Sequence, residues 1–182
     1  MKPKVRLMAR LGTLLSTLPL LAAAACASQG AIPSADSGFP NDLRVESVVR
    51  EQMTSEPARV TMALLNQYRQ TRGLATIVLD PQMTQVAYQQ AKAMADRDLM
   101  DHNILGDFGK RLKSNRVLNV YAGENIGRNI RTADKMFAWW LNSPVHERNM
   151  ANPKVTRLGF AVAYSKTGHP YWAMALASAP LS

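Results

Sequence analysis

Residues 158–177 read LGFAVAYSKTGHPYWAMALA and decide the fold of this chain. Two runs of aliphatic and aromatic residues, 158–164 and 171–177, flank a polar segment that contains Gly168 and Pro170, which is typical of a β-hairpin. Both runs are apolar on both faces. The pattern therefore predicts two inner, antiparallel strands of a sheet that is covered by helices on two sides.

Two helices are predicted in the first part of the folded chain. Apolar residues recur at helical spacing over 57–72, and Gly73 is placed to end that helix. Asp80 and Pro81 are an N-cap residue and a first-turn proline, which together predict a second helix running to about Met100.

The middle of the chain completes the fold prediction. A strand is expected over 117–121, and a third helix over 132–143, which ends there because Pro144 disfavours helix in the residue before it. Helices early and in the middle of the chain, followed by a late antiparallel hairpin, indicate an α+β domain. The expected architecture is a three-layer α-β-α sandwich with a central antiparallel sheet.

Length and composition limit the class of protein. The chain has 182 residues, of which 47% are apolar and 19% charged, so it can form one ordinary core and is not disordered throughout. A single cysteine excludes a disulfide scaffold and any zinc site built from several cysteines.

The first 25 residues have the pattern of an export signal. Four basic residues precede an uncharged stretch over 11–25 that is short for a membrane span and ends in four alanines. Cys26 follows directly, as in a lipobox, and is the predicted lipidation site. The expected product is a membrane-anchored lipoprotein that faces the periplasm or the cell surface. The alternative is cleavage at an Ala-x-Ala site, which would give a free periplasmic or secreted protein.

The remaining boundaries follow from composition. Residues 26–57 are rich in small, polar and charged residues and are predicted to be a flexible tether with one weak helical patch over 43–53. The folded domain is expected over 58–178, followed by a short tail, 179–182.

The net charge of +9 says little about a nucleic-acid partner. Loss of the signal peptide removes four basic residues and leaves 18 against 13 acidic ones. A basic group lies within residues 110–116, and it either binds an anionic partner, such as phospholipid headgroups or wall polymers, or forms a solvated helical face. It lacks interleaved aromatic residues, so no nucleic-acid partner is expected.

Few residues are candidates for chemistry. The three histidines are His102, predicted at the end of the second helix, His146, and His169, which is expected to be exposed in the hairpin loop. Glu124 stands between Gly123 and Asn125, where a carboxylate is unusual unless it meets a metal, a histidine or backbone N–H groups.

The order of motifs resembles the CAP superfamily, also called SCP/TAPS or cysteine-rich secretory, antigen 5 and pathogenesis-related 1 proteins, in its short bacterial form. The resemblance covers about residues 58–177. The motifs that carry it are Leu65-Asn66-x-x-Arg69-x-x-x-Gly73-Leu74, His102, Gly123-Glu124-Asn125-Ile126, Trp140-x-x-Ser143-Pro144-x-His146-x-x-Asn149, Gly159-x-x-x-Ala163 and Tyr171-Trp172.

This resemblance implies a central cleft in which His102, Glu124 and His146 converge and sometimes hold a divalent metal such as zinc. The family's further glutamate, three residues after a tryptophan, is Ser143 here. Family members also bind lipids in apolar grooves, which makes Asn125 and Trp140 candidate ligand-binding residues.

Several functions are compatible with this cleft. The first hypothesis is a noncatalytic envelope module that binds a lipid, a peptide or a wall component. The second is a metal-assisted hydrolase that uses His102, Glu124 and His146. Ser143 could also be a nucleophile beside His146, although no Gly-rich elbow surrounds it. The third hypothesis is an interaction protein with an inert cleft, in which the histidine and glutamate side chains only hydrogen-bond one another.

Overall fold

The computed structural model describes residues 42–180. The predicted signal peptide, Cys26 and residues 27–41 of the tether lie outside the described residues, as do Leu181 and Ser182 of the predicted tail. The described elements are α1 (Asp42–Thr54), α2 (Glu56–Thr71), β1 (Val78–Leu79), α3 (Pro81–Arg97), α4 (Phe108–Ser114), β2 (Ala122–Arg128), α5 (Ala133–Leu141), α6 (Pro144–Met150), β3 (Arg157–Tyr164) and β4 (Pro170–Ala177).

The strands form one sheet in the order β1-β3-β4-β2. β4 pairs antiparallel with both β3 and β2, whereas the two-residue β1 pairs parallel with β3. One core cluster packs α3 and α4 on one face of the sheet, and a second packs α2, α5 and α6 on the other. The α-β-α sandwich is confirmed, and its sheet is antiparallel apart from the short edge strand β1.

The hairpin prediction is also confirmed. β3 and β4 each begin one residue earlier than predicted and end where predicted. Every residue of β4 is buried, which agrees with a strand that is apolar on both faces. Gly159 lets α3 approach β3 closely, because a Cβ built on it would lie 1.9 Å from the carbonyl oxygen of Met83.

The predicted end of the second helix is wrong. α3 ends at Arg97 and not near Met100, because Asp98 adopts a left-handed conformation (φ 48°) and its carboxylate accepts a hydrogen bond from the Tyr171 hydroxyl. His102 therefore lies in a loop and not at a helix end.

The strand predicted over 117–121 is also wrong. Asn119 has a positive φ of 51°, which interrupts an extended chain, and the strand is β2, over Ala122–Arg128.

The N-terminal boundary also differs from the expectation. α1 lies within the predicted tether, where only a weak helical patch was expected, and it packs on α3 and β3. Val49 is buried, and the side chain of Gln52 accepts a hydrogen bond from the backbone N–H of Val162 in β3. These contacts make residues 42–57 part of the folded domain.

Two α2 side chains bond to backbone groups of the loops that follow. The amide of Asn66 donates to the carbonyl of Ile77 and accepts from its N–H. Arg69 is fully buried and donates to four backbone carbonyls. These bonds hold α2 against β1 and against the end of α6.

No helix within residues 42–180 combines the length and the apolar character needed to cross a membrane.

Candidate functional site

Glu124 is buried and is paired with a buried arginine. It lies in β2, and only 3% of its side chain is exposed. Nη2 of Arg111, from α4, donates to Oε1 at 2.9 Å and lies 2.8 Å from Oε2. The Arg111 side chain is 4% exposed. The charge of the carboxylate is therefore balanced inside the protein by a fixed guanidinium.

His102 contacts the same carboxylate from the loop after α3. Its Nδ1 lies 2.8 Å from Oε1 of Glu124, while half of the side chain is exposed. The carbonyl of His102 accepts a hydrogen bond from Nη2 of Arg111 at 3.2 Å, and Gln90 donates to the carbonyl of Asp101 at 2.7 Å. The loop that carries His102 is thus fixed by two buried side chains.

Sequence reasoning missed Arg111. It belongs to the basic group of residues 110–116, for which a solvated face or an anionic partner was expected. Lys110 in the same helix is indeed exposed, but Arg111 points inward to Glu124, and its guanidinium lies 5.1 Å from the Phe108 ring centroid. Leu112, the apolar neighbour of Arg111 in the sequence, was the one signal that this part of α4 faces the core.

His146 lies near His102 on α6 and has a buried, unpartnered nitrogen. Nδ1 has no hydrogen-bond partner among residues 42–180. Burial lowers the pKa of His146, and the nearby charge of His102 lowers it further. Both effects favour the neutral imidazole, which lies against Trp139 with ring centroids 5.1 Å apart and an interplanar angle of 40°.

A pair of asparagines connects α6 to β2. Asn125 is fully buried, donates to the carbonyl of His146 at 3.1 Å and accepts from Asn149 at 2.8 Å. Asn149 also donates to the carbonyl of Glu124 at 3.2 Å. Asn125, expected to bind a ligand, has its side chain committed to positioning the α6 backbone at His146.

The two tryptophans of α5 have different environments. Trp140, the expected ligand-binding residue, is fully buried and donates to the carbonyl of Ile126 at 2.9 Å, so it is a core residue. Trp139 is 44% exposed. It is the α5 indole that a ligand can reach, and it lines a groove of about 340 Å³ with Met100, Arg128, Asn129 and Ile130.

Ser143 and His169 gain no catalytic partner within the described residues. Ser143 occupies the N-cap position of α6 and makes no side-chain capping bond. Nδ1 of His146 has no partner among residues 42–180, so it makes no hydrogen bond to the Ser143 hydroxyl. His169 is exposed in the β3–β4 loop.

The donor set does not fit a zinc centre. Residues 42–180 contain no group of three or more His, Cys, Asp or Glu side chains that could hold a metal ion. Glu124 is already bonded by the Arg111 guanidinium and by Nδ1 of His102. A divalent cation on this carboxylate would lie beside a fixed positive charge. The structure brings His102 and Glu124 together with Arg111, and it does not join His146 to them as a third ligand.

A second groove lies between α1 and the start of α3. It has a volume of about 540 Å³ and is lined by residues that include Val45, Val49, Met53 and Pro81. It shares no lining residue with the groove at Trp139.

Comparison with known proteins agrees with the fold. The model of the family described as CAP, cysteine-rich secretory protein family, matches residues 62–176. The chain is 30% identical over 123 residues to YkwD and 30% identical over 125 residues to the membrane protein YlbC, both of Bacillus subtilis. These matches cover 63% and 68% of this chain but only 47% and 36% of the relatives, so the chain spans less than half of either.

Two solved structures are similar. One is an outer surface protein of Borrelia burgdorferi, with a TM-score of 0.63 and 16% identity, covering 69% of this chain and 94% of that one. The other is an extracellular protein of Bacillus anthracis that contains an SCP domain, with a TM-score of 0.61 and 25% identity, covering 79% of this chain and 45% of that one.

Proposed function

Because the chain belongs to the CAP family of cysteine-rich secretory proteins, we propose that it is a noncatalytic binding module of the cell envelope. It binds a lipid, a peptide or a wall component through the surface formed by Trp139, His146 and the neighbouring groove. The observation that carries this proposal is that the charge of the Glu124 carboxylate is balanced by the buried guanidinium of Arg111.

Hydrolysis at this site would need a group that can take a proton or hold a metal. The carboxylate of Glu124 is already engaged by a buried guanidinium and by a histidine, so it is not free to serve as a base. Nearby, Nδ1 of His146 is buried without a partner among the described residues. These features favour a structural role for Glu124 and support a fixed recognition surface.

The groove has the composition of a ligand site. Met100, Ile130 and Trp139 supply apolar surface, and Arg128 and Asn129 supply polar groups beside it. A half-exposed indole next to an imidazole favours a ligand with an apolar body, because Trp139 can bury more area without losing a hydrogen bond to the protein.

Location in the envelope is part of the proposal. The signal-peptide pattern and the similarity to proteins described as extracellular or outer surface support export. A lipid anchor on Cys26 would keep the domain at a membrane and concentrate it near envelope ligands.

The test is binding of the purified mature protein to two probes, isolated wall sacculi and vesicles of phosphatidylethanolamine and phosphatidylglycerol. Trp139→Ala should lose at least about tenfold in affinity for the probe that binds. Tyr121→Ala is the matched control. Tyr121 is 43% exposed and directly precedes β2, whereas Arg128, which lines the groove, is the last residue of that strand.

Three results would contradict the proposal. Equal binding by the Trp139 and Tyr121 variants would move recognition elsewhere, and Met53→Ala would then test the groove beside α1. Binding to neither probe would support an interaction protein with an inert cleft. Turnover of a peptide or ester substrate that Glu124→Gln abolishes would support the hydrolase.

A further inference from the structure

We propose that Arg111 is the built-in counter-cation of the cleft, a fixed positive charge that makes the His102–Glu124 pair independent of a metal ion and excludes zinc from it. The electrostatic role that a divalent cation would have beside a buried carboxylate is taken by a side chain of this protein.

The geometry places the positive charge directly on the carboxylate. Nη2 of Arg111 lies 2.9 Å from Oε1 and 2.8 Å from Oε2 of Glu124, and both side chains are almost fully buried. Burial limits screening by water and salt, so repulsion between a second cation and the guanidinium would be strong.

The same nitrogen also positions the loop. Nη2 donates to the carbonyl of His102 at 3.2 Å, while Nδ1 of that histidine lies 2.8 Å from Glu124. Arg111 therefore touches both partners of the pair and sets their distance. Its Nε and Nη1 are buried and have no acceptor among residues 42–180, so Nη2 makes all of the hydrogen bonds of this guanidinium.

The helix that carries Arg111 is held in place. Asp107 caps the N-terminus of α4 by accepting from the N–H of Lys110 at 2.8 Å, and Leu112 is buried in the core beside Arg111. Because α4 is held at both its cap and its apolar face, the guanidinium is a positioned group and not a mobile surface charge. Loss of Arg111 would leave the Glu124 carboxylate buried without its cation.

The test is calorimetric titration of Zn²⁺ into the mature protein and three variants. Wild type and the charge-matched control Lys110→Met should show no one-to-one binding. Arg111→Met should gain Zn²⁺ affinity by at least about tenfold, because it frees the carboxylate beside His102. Adding Glu124→Gln to Arg111→Met should remove that gain, which a merely structural role of Arg111 would not predict.

Thermal unfolding keeps the test decisive if Arg111→Met does not fold. Neither Zn²⁺ nor EDTA should move the Tm of the wild type by more than about 1 °C. The Tm of Arg111→Lys, which keeps the charge, should likewise not change with zinc. The proposal is overturned if wild type binds one Zn²⁺ tightly and His102→Ala abolishes it. A folded Arg111→Met variant that gains no affinity overturns it as well.

Discussion

Replacing Arg69 by methionine should strongly destabilise the domain. The side chain is fully buried in α2, and within residues 42–180 its hydrogen-bond acceptors are all carbonyls, those of Ala75, Met150, Asn152 and Val155, at 2.7–3.0 Å. Burial lowers the pKa of Arg69. The four carbonyl dipoles are therefore what stabilises this charge inside the protein.

The magnitude follows from the acceptors that lose their donor. Methionine fills much of the same space, but the bonds to Met150 and Val155 are fully buried, and each carbonyl left unpaired costs about 1–3 kcal/mol. The expected loss in unfolding free energy is about 2–6 kcal/mol. Removal of a buried charge offsets part of it, which favours the lower half of that range. At a slope of about 2 kcal/mol per M urea, the midpoint should fall by about 1–3 M.

Urea unfolding followed by circular dichroism measures this loss. Arg59→Met is the matched control, because Arg59 is exposed in the same helix and should change stability by less than about 0.5 kcal/mol. Arg69→Lys keeps the charge, but one ammonium group replaces a three-nitrogen fork, so an intermediate loss is expected. Equal midpoints for Arg69→Met and Arg59→Met would refute the reasoning.

Three further changes test other parts of the domain. Gly159→Ala should destabilise by about 2–3 kcal/mol or prevent folding, since its Cβ meets the Met83 carbonyl, and thermal unfolding measures it. Burial and a hydrogen bond to Glu147 raise the pKa of Tyr68 to about 12. The stability that Tyr68 adds is therefore present below pH 10 and is lost as the pH rises towards 12. Tyr68→Phe should abolish this loss when thermal unfolding is measured over a series of pH values. Asp80→Ala should lower the unfolding free energy by about 1–2 kcal/mol, since Asp80 caps α3 and pairs with the arginine that begins β3. Asp80→Asn keeps the cap and should cost less. Equal Tm values for these two variants would contradict the capping role.

The fold was predictable where local pattern and tertiary context agree. The hairpin strands were placed to within one residue because they are apolar on both faces and separated by a turn. β2 was misplaced because 117–121 has the better strand composition, while Gly123 and Gly127 weaken the true strand locally. Both glycines are needed by packing: a Cβ on either would lie 2.5–2.7 Å from a side chain of α6 or α5.

The candidate site was predictable in part. Glu124 was singled out because a carboxylate between Gly123 and Asn125 needs a partner, and it has one. That partner could not be identified, since Arg111 lies in a run of basic residues in which the charges have no pattern that marks one as buried. Burial of a charge depends on a pairing that forms only when α4 and β2 meet, which composition alone does not encode.

Two asparagines also cover backbone groups at the outer strands of the sheet. The amide of Asn66 occupies both backbone groups of Ile77 next to β1, and Asn149 occupies the carbonyl of Glu124 on β2. β1 and β2 are the two outer strands. At each outer strand a side-chain amide stands where the backbone of another molecule would otherwise pair. Covering these backbone groups lowers the tendency of the sheet to extend from one copy of the domain to the next.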